Sequence, residues 1–78
     1  VNIPLTVFIL TRGFSIQVVK SAHNSLAEAI EAATYNHLLT NKKYDINWRD
    51  RNGLTCGYAS DGVNYEIHQF TINAEVNL

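Results

Sequence analysis

The chain predicts an α+β fold, a ββαβββ roll with one helix packed on an antiparallel sheet, and three observations carry that expectation. Two β-rich runs precede a capped stretch with apolar residues at helical spacing, and three more alternating runs follow it. Glycine-containing turn sequences punctuate the strands at short intervals. At 78 residues, 46% apolar and 17% charged, the chain can fill one hydrophobic core, so residues 1–78 are expected to form a single domain.

The first strand is read from Ile3 to Thr11, where Leu5, Val7 and Ile9 alternate with Thr6, Phe8 and Leu10. A run apolar on both sides suits a well-covered strand. Arg12-Gly13 is expected to make a tight hairpin turn into a second strand bearing Phe14, Ile16 and Val18. Ser25 and Glu28 have the spacing of a capping box, in which each side chain satisfies an orphaned backbone N–H, so a helix should begin at Leu26. Leu26, Ala29, Ile30 and Ala33 fall on one stripe, Glu28, Glu31 and Tyr35 point away from it, and the helix should fade between Leu39 and Asn41.

A polar loop through Lys42-Lys43 leads to a third strand, where Tyr44, Ile46 and Trp48 alternate with Asp45, Asn47 and Arg49 before the turn Asp50-Arg51-Asn52-Gly53. Leu54, Cys56 and Tyr58 are expected on the core side of a fourth strand. Ser60-Asp61-Gly62 turns the chain again, and Val63, Tyr65 and Ile67 return it. Phe70, Ile72, Ala74 and Val76 are one residue out of phase with that set, which predicts a bulge near His68-Gln69 and a tail that either prolongs the fifth strand or forms a sixth. The expected core is Leu5, Val7, Ile9, Ile16, Val18, Leu26, Ile30, Ala33, Ile46, Trp48, Leu54 and Ile67.

Charge and cysteine content narrow the classes of function. Six Lys plus Arg against seven Asp plus Glu give a formal charge of -1, which argues against a non-specific nucleic-acid binder and against an acidic DNA mimic. The longest apolar run is far short of a membrane span. Cys56 is the one cysteine, so no internal disulfide can staple so small a domain, and an intracellular, cytoplasmic setting is expected. The apolar stretch Ile3 to Leu10 has no basic segment before it and reads as a strand, not a signal peptide.

His23, His37, His68 and Cys56 are the only soft-ligand or nucleophile-base candidates, and they lack the close spacing of a metal site. His37 lies near the apolar stripe of the helix, so it either meets the sheet, within reach of Cys56, or bonds a backbone carbonyl. The carboxylates are scattered, and phosphate-cradle and hydrolase motifs are missing. No catalytic residue, metal or cofactor is therefore expected, and the chain does not read as an enzyme. The candidates for contacting a protein partner are Arg49 and Arg51 around the third turn, Lys42 and Lys43 at the helix exit, and Tyr35 on the outer helix face. Arginine and aromatic side chains combine buried area with directed hydrogen bonds and so recur at binding hot spots. A solvated rim accounts equally for the two arginines, and the core for Trp48. The apolar tail Phe70 to Val76 could add an edge strand to a second copy, giving a homodimer.

The capped helix start Ser25-Leu26-Ala27-Glu28-Ala29-Ile30-Glu31-Ala32-Ala33 after a hairpin, with Asn52-Gly53, Gly57-Tyr58-Ala59 and Asp61-Gly62 before Tyr65, resembles small phage-encoded anti-CRISPR proteins. That resemblance spans about residues 14–67 and rests on helix and turn signals shared with other small α+β domains. It implies an inhibitor acting in the bacterial host cytoplasm, which binds Cas subunits of a type I surveillance complex and blocks access to guide, target or nuclease without catalysis. The hairpin followed by Ser25-Leu26-Ala27-Glu28-Ala29-Ile30 also resembles the N-terminal module of HicB-type antitoxins. It departs from them where Val19-Lys20-Ser21-Ala22-His23 replaces a proline-rich turn and no DNA-binding segment follows. An antitoxin-like or regulatory dimerisation module that binds a small protein is thus the alternative.

Overall fold

The structure is a computed structural model and describes residues 1–41 and 46–75, with no side-chain account of residues 40 and 41. Lys42, Lys43, Tyr44 and Val76 lie outside the described residues. The order is β1 (Asn2–Gly13), β2 (Gln17–His23), α1 (Leu26–Asn41), β3 (Ile46–Arg51), β4 (Leu54–Ala59) and β5 (Asn64–Glu75). One helix packs on a five-stranded antiparallel sheet of order β2-β1-β5-β4-β3. The α+β class and the ββαβββ order read from the sequence are both present. Among the described residues no helix is long and apolar enough to cross a membrane.

The turns fix how the strands meet. Asn52 (φ 55°) and Gly53 (φ 85°) both occupy the left-handed region, the signature of a two-residue turn whose twist matches the flanking strands. Asp50 Oδ1 accepts the Gly53 N–H at 2.9 Å and locks the turn. The first hairpin differs from its expected form. Its loop is Phe14-Ser15-Ile16, closed by the pair Gly13↔Gln17, so Phe14 and Ile16 belong to the loop and not to a strand. Gly13 is required there by close approach, because a Cβ would collide with the Ile16 carbonyl oxygen.

The helix starts where the cap predicts. Ser25 Oγ accepts the Glu28 N–H at 3.2 Å, and the Ser25 carbonyl accepts the Ala29 N–H at 3.2 Å. Its buried row is Ala29, Ala33 and His37, one residue per turn, with Ile30 and Ala32 alongside. Two alanines let the helix backbone approach the sheet closely. Leu26, expected in the core, is instead exposed at the first turn.

Paired residues in an antiparallel ladder share a face, so the register assigns every side chain. The helix side of the sheet carries Phe8 and Leu10 from β1, Tyr65 and Ile67 from β5, Ala59 from β4, and Ile46 and Trp48 from β3, and Val63 joins them just before β5. The opposite face carries Ile3, Leu5, Val7 and Ile9 with their β5 partners Ala74, Ile72, Phe70 and His68. Leu5 is therefore exposed and outside the core, and Val18 and Ile16 are exposed as well. Leu54, Cys56 and Tyr58 also stand away from the helix. A two-residue loop pairs Arg51 with Leu54, which puts the core residues Ile46 and Trp48 opposite Ala59 and Gly57.

The expected bulge near His68 is replaced by continuity. β1 and β5 pair without interruption from Asn2↔Glu75 to Gly13↔Asn64, and the phase change means that apolar residues move from one face of β5 to the other. The tail prolongs β5. The irregularity that does occur lies between β1 and β2, where Leu10 pairs with Ser21 and Thr11 with Val19, leaving Lys20 as the extra residue.

Candidate functional site

β2 pairs with β1 only from Phe8 onward, and β4 reaches along β5 only to Ile67. Beyond those points β1 and β5 run on as a two-stranded ribbon, residues 2–7 with 70–75, which gives the molecule its 49 Å long dimension. The ribbon is amphipathic. Ile3, Leu5, Val7, Phe70, Ile72 and Ala74 form one face, and Asn2, Pro4, Thr6, Thr71, Asn73 and Glu75 form the other. Pro4 lies where β1 has a neighbour on one side only, the place a residue lacking an N–H is tolerated.

A two-stranded ribbon is marginally stable in water by itself, and this one leaves Ile3, Leu5, Phe70 and Ile72 each about half exposed, Leu5 at 49% and Ile72 at 52%. The apolar ladder continues into the sheet through Ile9 and His68. The His68 ring stacks on Phe70 with centroids 6.3 Å apart, and its Nε2 lies 3.1 Å from Glu66 Oε1. No element among the described residues covers this face.

The same face ends at β3 in a cationic corner. Arg49 and Arg51 pair with Cys56 and Leu54, so both arginines point away from the helix, while Trp48, next to Arg49, points into the core. Arg51 Nη1 donates to the Tyr58 hydroxyl at 2.7 Å. That hydrogen bond, with the electrostatic attraction of Tyr58 and Cys56, pushes the Arg51 pKa above its ordinary value, so the group stays charged at any working pH. Arg49, Asp50, Arg51 and Tyr58 line a shallow groove.

The partner-contact candidates are thus divided in space. Arg49 and Arg51 share the open face. Tyr35 is 64% exposed but stands on the outer side of the helix, beside a groove lined by His23, Glu28, Glu31 and Ala32. Lys42 and Lys43 fall outside the described residues. Sequence reading missed that Leu5, Phe70 and Ile72 are surface groups on the same face as the arginines. The phase change after Ile67 signals that Phe70 and Ile72 leave the face of Tyr65 and Ile67, but the face of Leu5 is set by the long-range pairing of β1 with β5.

Other reactive groups are absorbed by packing. His37 is fully buried, with Nδ1 3.0 Å from the Tyr65 hydroxyl and the rings edge to face at 5.7 Å. Cys56 is buried on the opposite side of the sheet, so the two do not meet. Among the described residues no group of three or more His, Cys, Asp or Glu side chains is arranged to hold a metal ion.

A second cavity, of about 330 Å³, lies between the later half of α1 and the sheet, lined by Leu10, Arg12, Lys20, Asn36, Leu39 and Tyr65. Neither cation in it was singled out by sequence. No protein-family model, no curated protein and no solved structure matches this chain.

Proposed function

We propose that the chain is a non-catalytic protein-binding module that docks on its partner through the open face of the sheet. The observation that carries this reading is the sheet face from the apolar ribbon to the Arg49 and Arg51 corner, which no element among the described residues covers. Apolar area at the ribbon supplies affinity through water release. With Glu66 already beside His68, Arg49 and Arg51 outnumber Asp50 among the described residues of the groove they line. That leaves the corner net positive and suited to acidic groups on the partner, which fix orientation and speed encounter. In its finer form the module is an inhibitor of the anti-CRISPR kind, with Cas subunits of a type I surveillance complex as the partner.

The test is to express the tagged chain in bacteria with an active type I CRISPR system and to measure phage plating and the proteins that co-purify. Restored plating with bound Cas subunits is expected, and both should be lost in Ile72→Lys and in the double variant Arg49→Ala/Arg51→Ala. The affinity loss should be at least about tenfold, or about 1.4 kcal/mol. A co-purifying small toxin in place of Cas subunits would favour the antitoxin-like alternative and sink the inhibitor reading. Binding indifferent to both variants, with the fold intact, would remove the open face as the docking surface.

A further inference from the structure

Beyond that reading, the geometry points to a ligand site on the helix side of the sheet, in which Arg12 and Lys20 clamp a small organic anion, a carboxylate or phosphate group carried on an apolar body. The cavity between α1 and strands β1, β2 and β5 holds about 330 Å³, the lower end of the size of small-molecule sites. Its walls divide by chemistry. Leu10, Leu39 and the Tyr65 ring are apolar, whereas Arg12, Lys20 and Asn36 are polar, and none of the described residues that line it is a carboxylate.

Two observations on different atoms indicate an anion. Arg12 Nε is buried with no acceptor in reach, and a buried donor left unpaired costs about 1–3 kcal/mol, so such groups are rare without a function. Arg12 pairs with Tyr65 on one side and Val18 on the other, which holds its stem on the helix face of the central strand. Independently, the one break in the β1–β2 register inserts Lys20 as an extra residue between Ser21 and Val19. A bulge re-aims the side chain it carries and recurs beside binding sites. Here it brings a second cation to the wall that Arg12 occupies. Two like charges facing one cavity repel each other, and a bound anion relieves both the repulsion and the orphaned donor. The neighbouring Tyr65 is held rigid by its hydrogen bond to His37 and by its contact with Trp48 at 6.4 Å between centroids, so the floor of the site is preorganised.

Phenyl phosphate and benzoate, titrated into the purified chain at constant ionic strength and followed by calorimetry and amide chemical shifts, test the site. At least one probe should bind saturably at one per chain, shifting resonances of Arg12, Lys20 and Asn36, and more tightly than inorganic phosphate, which lacks the apolar body. Lys20 is exposed, so Lys20→Gln should keep the urea midpoint and weaken binding at least tenfold. Arg49→Gln/Arg51→Gln, on the other face, should leave probe binding unchanged, which separates this site from the docking surface. The inference is overturned if neither probe saturates, if Lys20→Gln binds as well as the parent chain, or if inorganic phosphate or chloride competes as well as the probes.

Discussion

Leu10 and Leu5 are the same residue type on the same strand, and their different faces make the most direct test of the fold. Leu10 is 0% exposed in the cluster with Ala29, Ala33, Tyr65 and Ile67, whereas Leu5 is 49% exposed on the open ribbon. Truncating Leu10 to Ala removes buried methyl groups and leaves a closed void, so the loss should be about 2–5 kcal/mol. Full burial of a leucine is worth about 1.5–3 kcal/mol, and Leu5 has about half of that to lose and no closed void to leave. Leu5→Ala should therefore cost no more than about 1.5 kcal/mol. For a chain of this length total stability is of order 4–12 kcal/mol, so Leu10→Ala removes a large share and Leu5→Ala a small one. Urea unfolding followed by the fluorescence of Trp48 reads both, with the slope m held common. Equal losses at the two positions, independent of protein concentration, would refute the assignment of faces. Equal losses that appear only at high concentration would show a second copy covering the ribbon.

Two further substitutions probe the close contacts that hold the helix side together. A Cβ on Gly57 would sit 2.7 Å from Ile46 Cγ2 and 2.8 Å from Trp48 Cζ3, so Gly57→Ala should cost about 1–3 kcal/mol through overpacking. The share of that cost due to the Trp48 ring should vanish in a Trp48→Leu background while the share due to Ile46 remains, as a double-mutant cycle by chemical denaturation would read. Removing the cap with Ser25→Ala should cost about 1 kcal/mol, and faster amide exchange should be confined to the first turn of α1.

How far the site was legible follows from which interactions are local. Ser25 with Glu28, Asn52 with Gly53 and Asp61 with Gly62 are signals decided within four residues, and each lies where the sequence placed it. The outward direction of Arg49 followed from strict alternation with Ile46 and Trp48. Where the reading failed, two answers fitted the same local pattern. β1 is apolar at successive positions, so alternation alone could not say whether Leu5 or Leu10 enters the core. Leu54, Cys56 and Tyr58 are more apolar than Thr55, Gly57 and Ala59, yet the smaller set faces inward because Trp48 lies across Gly57 and fills the space a side chain would need.

The binding surfaces belong to the second kind. Arg12 and Lys20 are eight positions apart and unremarkable in the chain, and a one-residue irregularity between β1 and β2 brings them to one cavity. Phe70 and Ile72 belong to the apolar tail whose place the sequence left open, and they stand half exposed because the pairing of β5 with β1 turns them to the face away from the helix. The sequence by itself determined the number and kind of elements, the cap and the turns, since these depend on backbone preferences and neighbours a few residues away. Only the tertiary structure decided which face of each strand is covered, because a single helix can shield one side of part of the sheet, and the pairing of the first strand with the last determines which part that is.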